Sequence, residues 1–279
     1  LNGRMKDVLA NVALNRAAIC HKYGLKDSAG WRVSQLEGIP FDSRAIRPFL
    51  YKPFDHRFIY YHTKALGRAR YSTMRHMLQP NLALIATRQV TRLPFCHAFV
   101  SRWPIEEKTG SHDRTTQLFP LYLYPEHEQL DLAQESSHRA NAFTPAFASD
   151  LSSVLGVTID STGKIPANKA VGSEDVFFYI YCILHSPTYR DDFGQEFMGD
   201  LPRLPLTGEL ELLRALARLG GELTALHLLE SPTLDKPRTE FIGKSREVEK
   251  VGWTKDGDGT VWIDAAGSKG ATRPGTSGF

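Results

Sequence analysis

Cysteine is scarce in this sequence: Cys20, Cys96 and Cys182 are its three, and they lie far apart. An odd, scattered set builds neither a CxxC pair nor a disulfide framework, and it fits a reduced, cytosolic compartment. Long apolar runs are missing as well. The longest, Val176 to Leu184, is closed by His185, whereas a spanning helix needs roughly 20 apolar residues, so no membrane segment is expected. The N-terminus has no signal-peptide pattern. It starts at Leu1-Asn2-Gly3-Arg4, without methionine, and reads as a fragment of a longer chain.

The signatures of most catalytic chemistry are absent too. There is no GxxxxGK[ST], no GxGxxG after a strand and no GxSxG, which removes phosphate-cradling loops and the nucleophile elbow. There is no HExxH, and the ten histidines are scattered, so no metal site is expected. His185 and His227 lie in apolar stretches and read as satisfied core histidines. Asp191-Asp192 and Glu106-Glu107 are adjacent carboxylates, which face apart and read as solvated surface rather than as an acid–base dyad. Asp256-Gly257-Asp258-Gly259 lacks the distal glutamate of a calcium loop and reads as a hairpin turn. The Asn-Pro-Pro-aromatic tetrad that holds a flipped adenine or cytosine is also missing. No catalytic residue is expected: the chain looks built to bind.

What is present is charge of one sign in one place. Between Arg44 and Arg102 stand Arg44, Arg47, Lys52, Arg57, Lys64, Arg68, Arg70, Arg75, Arg88, Arg92 and Arg102, against the single acid Asp55. That span carries +10, and the rest of the chain −7, within a net charge of +3. One acid cannot pair eleven bases, and such asymmetry points to a polyanionic partner. The planar arginine fork suits phosphate and guanine edges, and aromatics are interleaved with bases along Tyr51-Lys52-Pro53-Phe54-Asp55-His56-Arg57-Phe58-Ile59-Tyr60-Tyr61. Asp55 and Arg57, two apart on a strand, share a face; Asp55 is read as closing the turn after Pro53 and orienting Arg57.

At 42% hydrophobic and 23% charged residues, the composition is that of a globular protein. A helix is expected over 5–23, ending at Gly24. Short strands are expected at Arg47–Tyr51, Arg57–His62, Leu82–Gln89, Ala98–Arg102 and Gln117–Tyr124, with one or two helical turns over Tyr71–Leu78. Glu126 to Ala142 reads as a flexible excursion, Pro145 to Leu155 as a helix and Gly163 to Gly172 as loop. Ser173 is expected to cap a helix and Pro187 to start the next. Leu210 to Leu226 marks another, interrupted at Gly220-Gly221. Glu247–Thr254 and Thr260–Asp264 form a hairpin.

Several segments in order carry a resemblance. They are Tyr51-Lys52-Pro53-Phe54-Asp55-His56-Arg57 with Tyr60-Tyr61, Arg75-His76-Met77 leading to Asn81-Leu82-Ala83-Leu84-Ile85 and Arg88-Gln89, then Phe99-Val100-Ser101 and Phe119-Pro120-Leu121-Tyr122-Leu123. After them come Phe178-Tyr179-Ile180-Tyr181, Leu184-His185-Ser186-Pro187-Thr188-Tyr189-Arg190, Asp200-Leu201-Pro202-Arg203-Leu204-Pro205-Leu206, Leu219-Gly220 and Leu226-His227-Leu228-Leu229. From about residue 30 to 264 the series resembles the C-terminal specificity domain of type ISP restriction–modification enzymes and of related adenine-specific DNA methyltransferases. The resemblance implies a module that reads duplex DNA and presents the target adenine to an upstream methyltransferase domain, its protein partner. S-adenosylmethionine, ATP and magnesium would serve the upstream domains; no cofactor is expected in this fragment.

The expected fold is α+β. Residues 1–37 form a helical lead-in from the upstream domain, 38–126 a basic β-rich recognition lobe, 127–172 a linker excursion, 173–231 a helical lobe, 232–264 the terminal hairpin, and 265–279 a disordered, truncated tail. The expected DNA contacts are Arg57, Lys64, Arg68, Arg70, Arg75, Arg88, Gln89, Arg92 and Arg102, with Pro53, Phe54, Asp55, Tyr60 and Tyr61 as the structural motif. The alternative is a protein-interaction module that docks an acidic partner through the same patch; a small-molecule enzyme ranks below both.

Overall fold

The apolar spacing over residues 5–23 folds as two helices, not one: α1 spans Asn2–Asn11 and α2 spans Arg16–Tyr23. The break has a local cause. The Asn15 side chain accepts from the Ala18 N–H at 3.1 Å and caps a new helix, the alternative that asparagine offers to continuing the old one. Gly24 ends α2 at φ 63°, a left-handed cap that glycine adopts without strain. Val8, Val12 and Ile19 then close on Val33, Leu36, Ile39 and Tyr60 as one core cluster.

The structure, a computed structural model, describes residues 1–125, 139–160, 170–201, 203–236, 239–253, 261–264 and 277. β1 (Ile46–Lys52) and β2 (Asp55–Tyr60) form an antiparallel hairpin, with Phe49 opposite Arg57. On the other edge of β1, the Leu50 N–H donates to Pro104 O at 2.9 Å and Leu50 O accepts from Glu106 N at 3.0 Å. α3 (Tyr71–Met74) runs into a 3₁₀ turn, Arg75–Leu78. Next comes β3 (Ala83–Thr87), the centre of an antiparallel sheet with β4 (Ala98–Ser101) and β5 (Thr116–Pro120). The run Ala-Leu-Ile-Ala along β3 is apolar without alternation and largely buried, as a strand covered on both faces should be.

β6 (Tyr122–Leu123) pairs with β7 (Ala140–Asn141); the rest of the expected excursion, 126–138, lies outside the described residues. α4 spans Pro145–Leu155. β8 (Thr158–Asp160) runs parallel to β9 (Ala170–Gly172), so the stretch expected as loop ends in a strand, its residues 163–169 being outside the description.

α5 spans Ser173–His185. Its cap is Gly172, not Ser173: Asp175, three residues on, accepts from the Gly172 N–H at 2.9 Å, while the Ser173 hydroxyl is buried with no partner among the described residues. α6 (Pro187–Phe193) starts at its proline, with Ser186 Oγ accepting from Tyr189 N. α7 (Leu210–His227) passes through Gly220-Gly221 without interruption. Those glycines answer to packing: a Cβ on Gly220 would lie 1.9 Å from the Phe178 carbonyl oxygen of α5, so the two helix backbones meet there.

Phe177 and Tyr181 of α5 share a core cluster with Leu82, Val100, Leu121 and Tyr122, so strands and helices cover one another. Leu1–Glu230 is one compact unit and Ser231–Phe279 a second. In the second, β10 (Gly252–Trp253) and β11 (Val261–Trp262) pair antiparallel. The turn between them lies outside the described residues, and so does the tail 265–279 apart from Ser277, whose N–H donates to Asp264 at 2.9 Å. The fold is α+β, as expected, with its strands in several small sheets.

Candidate nucleic-acid interface

The basic span is less bare than its sequence implies. Arg44 pairs with Asp42 at 3.1 Å, Lys52 with Glu106 at 2.9 Å, Arg57 with Asp55 at 2.7 Å and Arg68 with Glu107 at 3.3 Å. Arg88 reaches Asp200 at 3.0 Å and Arg102 reaches Glu230 at 2.6 Å. The expectation that one acid leaves the bases unmatched is therefore corrected. Folding carries carboxylates from outside the span to five of these six bases, and Glu106 and Glu107, read as solvated surface, are two of those partners. Such pairs, exposed or half-exposed and screened by solvent, contribute little to stability, so a polyanion can exchange with the carboxylates at small cost. Among the described residues, Arg47, Lys64, Arg70, Arg75 and Arg92 have no carboxylate partner.

The hairpin positions Arg57. Its Nε and Nη2 donate to the Asp55 carboxylate at 3.0 and 2.7 Å, and its guanidinium lies 3.9 Å from the centre of the Tyr51 ring, a cation–π contact. The Arg57 hydrogen bonds hold the Asp55 carboxyl below its ordinary range. Pro53-Phe54 makes the turn, with Phe54 at φ 65°. Phe54 and Phe58 are 51% and 66% exposed. Tyr60 is buried and its hydroxyl accepts from Asp42 N at 3.1 Å.

The segment after β2 is held from two sides. Tyr61 Oη donates to Ala69 O at 2.5 Å, and Trp31 Nε1 donates to Lys64 O at 2.8 Å. Burial pushes the Tyr61 phenol well above its ordinary pKa. The segment presents Lys64, Arg68 and Arg70 to solvent. Arg70 sits at φ 47°, a conformation few side chains occupy without a cost. Arg68 and Arg70 line a groove of about 270 Å³ whose apolar wall includes Phe49, Ile59, Met74 and Leu118.

Four of the remaining expected residues are turned to other parts of the chain. Arg75 Nη1 donates to Tyr124 O at 2.7 Å, and Gln89 Nε2 donates to Gly199 O at 3.0 Å. Arg88 and Arg102 meet acids of the helical region, as above. Arg92 is exposed in the loop between β3 and β4. One basic residue went unread in the sequence: Arg114, exposed just before β5. It follows Glu106-Glu107 and so falls outside the one-signed stretch; its only sequence signal is the polar turn Ser111-His112-Asp113 ahead of a strand.

His185 and His227 are tied into the core, although His185 Nε2 is buried without a partner among the described residues. Tyr181 Oη and His227 Nδ1 are 2.5 Å apart, and Arg190 Nη2 donates to His185 Nδ1 at 3.0 Å. Burial, then the charges of Arg190 and His227, depress His185 to about 4. Among the described residues, no three His, Cys, Asp or Glu side chains are grouped to hold a metal, and no helix is long and apolar enough to cross a membrane.

Residues 9–270 match the type ISP C-terminal specificity domain. This chain belongs to that family. Among solved structures, the specificity domain is similar in fold to part of the ATP-dependent type ISP restriction–modification enzyme LlaBIII bound to DNA, with a TM-score of 0.63 at 16% identity over 94% of this chain. A nuclease-deletion mutant of the type ISP enzyme LlaGI in complex with a DNA substrate mimic matches with a TM-score of 0.57 at 17% identity over 95% of this chain. The DrdV–DNA complex matches with 0.56 at 19% over 88%. The specificity domain spans 16%, 19% and 22% of those three chains. Among curated proteins, none matches it.

Proposed function

We propose that this specificity domain binds duplex DNA and recognises the target sequence of a larger restriction–modification enzyme. The observation that carries the reading is family membership over residues 9–270; three solved structures of similar fold are DNA complexes. Charge supports it. Lys64, Arg70 and Arg92 are exposed cations without carboxylate partners, and Arg57 and Arg68 sit in exposed pairs that a phosphate can displace. These five are the proposed DNA contacts. Arg75 and Gln89, bonded to backbone carbonyls, hold the surrounding segments in place, while Arg88 and Arg102 join the strands to the helical region through exposed pairs. An upstream methyltransferase domain is the proposed protein partner, in a cytoplasmic enzyme. S-adenosylmethionine, ATP and magnesium belong, in this reading, to domains outside this chain.

The test is fluorescence anisotropy of the chain with a labelled random-sequence duplex at several salt concentrations. Each neutralised phosphate contributes about −0.9 to the slope of log K against log salt, so one phosphate each for Arg57, Lys64, Arg68 and Arg70 predicts a slope of about −4. A flat salt dependence, or no binding at low salt by a chain that circular dichroism shows to be folded, would overturn the reading and favour docking of an acidic protein.

A further inference from the structure

The loop between β3 and β4 and the loop that enters β5 emerge at the same end of the sheet, because Thr87, the last residue of β3, pairs with Thr116, the first of β5. Both are firmly held. In the first loop, Val90 and Phe95 are buried, at 3% and 1% exposure. The Phe95 ring lies 4.4 Å from that of Phe197, and Val90 N donates to Phe197 O at 3.1 Å. Between these anchors Thr91, Arg92, Leu93 and Pro94 face solvent. In the second loop, Gly110 N donates to Thr116 Oγ1 at 3.0 Å and Thr116 N to Glu107 O at 2.8 Å, leaving His112 to Thr115 outside.

Asp113 fastens one loop to the other. Its Oδ2 accepts from Thr91 Oγ1 at 2.5 Å and its Oδ1 from Ser111 Oγ at 2.7 Å. Those two hydroxyls, Thr91 first, hold its carboxyl down to about 2, so the link is charge-assisted at any ordinary pH. The only acid at the tips is thereby engaged. Arg92 and Arg114, each one residue beyond an end of the Thr91–Asp113 bond, have no side-chain partner among the described residues. Leu93 is 38% exposed beside Arg92. Arg88 and Gln89, nearer the strand, are committed to Asp200 and Gly199.

We propose that this double loop is a base-reading element, with Arg92 and Arg114 addressing base edges in a groove of the duplex and Leu93 making an apolar contact beside them. The inference rests on the DNA-binding reading above. Phosphate contact needs only positive charge near the backbone, whereas base readout needs a planar donor fork delivered to a fixed place. Anchoring by buried side chains and cross-linking by a charged acceptor supply that fixity. A major groove about 12 Å wide admits two adjacent chain segments, and two loops joined by a side-chain bond present such a pair. Arginine suits the O6 and N7 of guanine, and an exposed leucine suits a thymine methyl.

The experiment is in vitro selection of the full chain against duplexes with a randomised core, read by sequencing, for wild type and for R92A, R114A, R92K, R114K and T91V. Thermal unfolding of each variant confirms its fold. Wild type should enrich a motif. R92A and R114A should each lose preference at one or two positions by about tenfold or more, the effect of one bidentate contact, while affinity for random duplex falls less than about threefold. The lysine variants keep the charge and lose the fork, so they should lose the same positions. T91V keeps both arginines but unties the loops and should blur both positions together. Unchanged motifs with uniformly weaker binding would overturn the inference and make the arginines phosphate contacts. A wild type that binds duplex but enriches no motif overturns it as well. A wild type that binds no duplex at any salt instead defeats the DNA-binding reading beneath it.

Discussion

Gly220 of α7 lies so close to Phe178 of α5 that a methyl group on it would stand 1.9 Å from the Phe178 carbonyl oxygen. Its neighbour Gly221 is different: a Cβ there would meet the Phe178 ring at 3.4 Å, an ordinary contact. Alanine at the two positions should therefore have opposite effects. G220A forces the helices apart and should cost roughly 3 kcal/mol, the upper end of overpacking penalties. G221A gains helix propensity and should be neutral or stabilising by up to about 1 kcal/mol. Urea unfolding of both variants checks the contrast, and equal effects would refute backbone contact as the reason for Gly220.

Arg70 holds a left-handed backbone at φ 47° and an exposed side chain with no carboxylate partner. A non-glycine residue pays about 1–2 kcal/mol there, while glycine forfeits about 0.5–1 kcal/mol of chain entropy. R70G should leave stability within about 1 kcal/mol of wild type. The same variant removes one cation, so the salt slope for duplex DNA should become shallower by about 0.9. Paired urea and salt titrations separate the two effects. A loss of 2 kcal/mol or more would mean that the Arg70 side chain holds the segment, contrary to its reading as a free cation.

Arg75 makes the converse case. Its guanidinium donates to the Tyr124 carbonyl at 2.7 Å in a half-buried setting. A charged hydrogen bond of this kind contributes about 1.5–3 kcal/mol, so R75A should lower stability by that amount and leave the salt slope unchanged within about 0.3. An unaltered unfolding midpoint with a shallower slope would return Arg75 to the DNA contacts.

Local patterns were readable in the sequence, and contacts across it were not. The apolar runs at Arg47–Tyr51 and Leu82–Gln89 sit within a residue or two of β1 and β3 because strand propensity and flanking turn residues act over neighbouring positions. The pairing of Arg88 with Asp200 and of Arg102 with Glu230 joins residues 112 and 128 positions apart, and nothing near either arginine announces it. The same holds for Gly220, which composition marks as a helix breaker and tertiary packing explains. Asn15 is a middle case. Its capping role was available in principle, but the apolar spacing on both sides of it is continuous and outweighs one polar residue. At the candidate interface, excess charge was legible, while its division between paired and unpaired arginines depended on the fold.

Mild acid should weaken this domain through its histidines before its carboxylates. The rings of Tyr181 and His185 lie 4.5 Å apart, and those of His185 and His227 5.2 Å apart. Arg190 donates to His185 Nδ1 at 3.0 Å, a bond that a doubly protonated ring cannot accept. Burial first, then Arg190 and His227, depress His185 to about 4, and burial with Arg190 lowers His227 as well. An unfolded histidine titrates near 6.5. Over the interval from about 6.5 to 4 the unfolded chain therefore binds more protons than the folded one. Stability is complete above pH 6.5 and falls as pH drops through that interval, each histidine contributing less than the limit of about 1.4 kcal/mol per pH unit for one fully buried group. H185Q keeps an acceptor for Arg190 without a titrating ring, so its unfolding temperature should decline less steeply over the same range. His62, His76 and His97 are lowered by burial too, so a residual slope should remain in H185Q. Identical slopes for the variant and wild type would place the acid sensitivity in those other histidines and not at the α5–α7 contact.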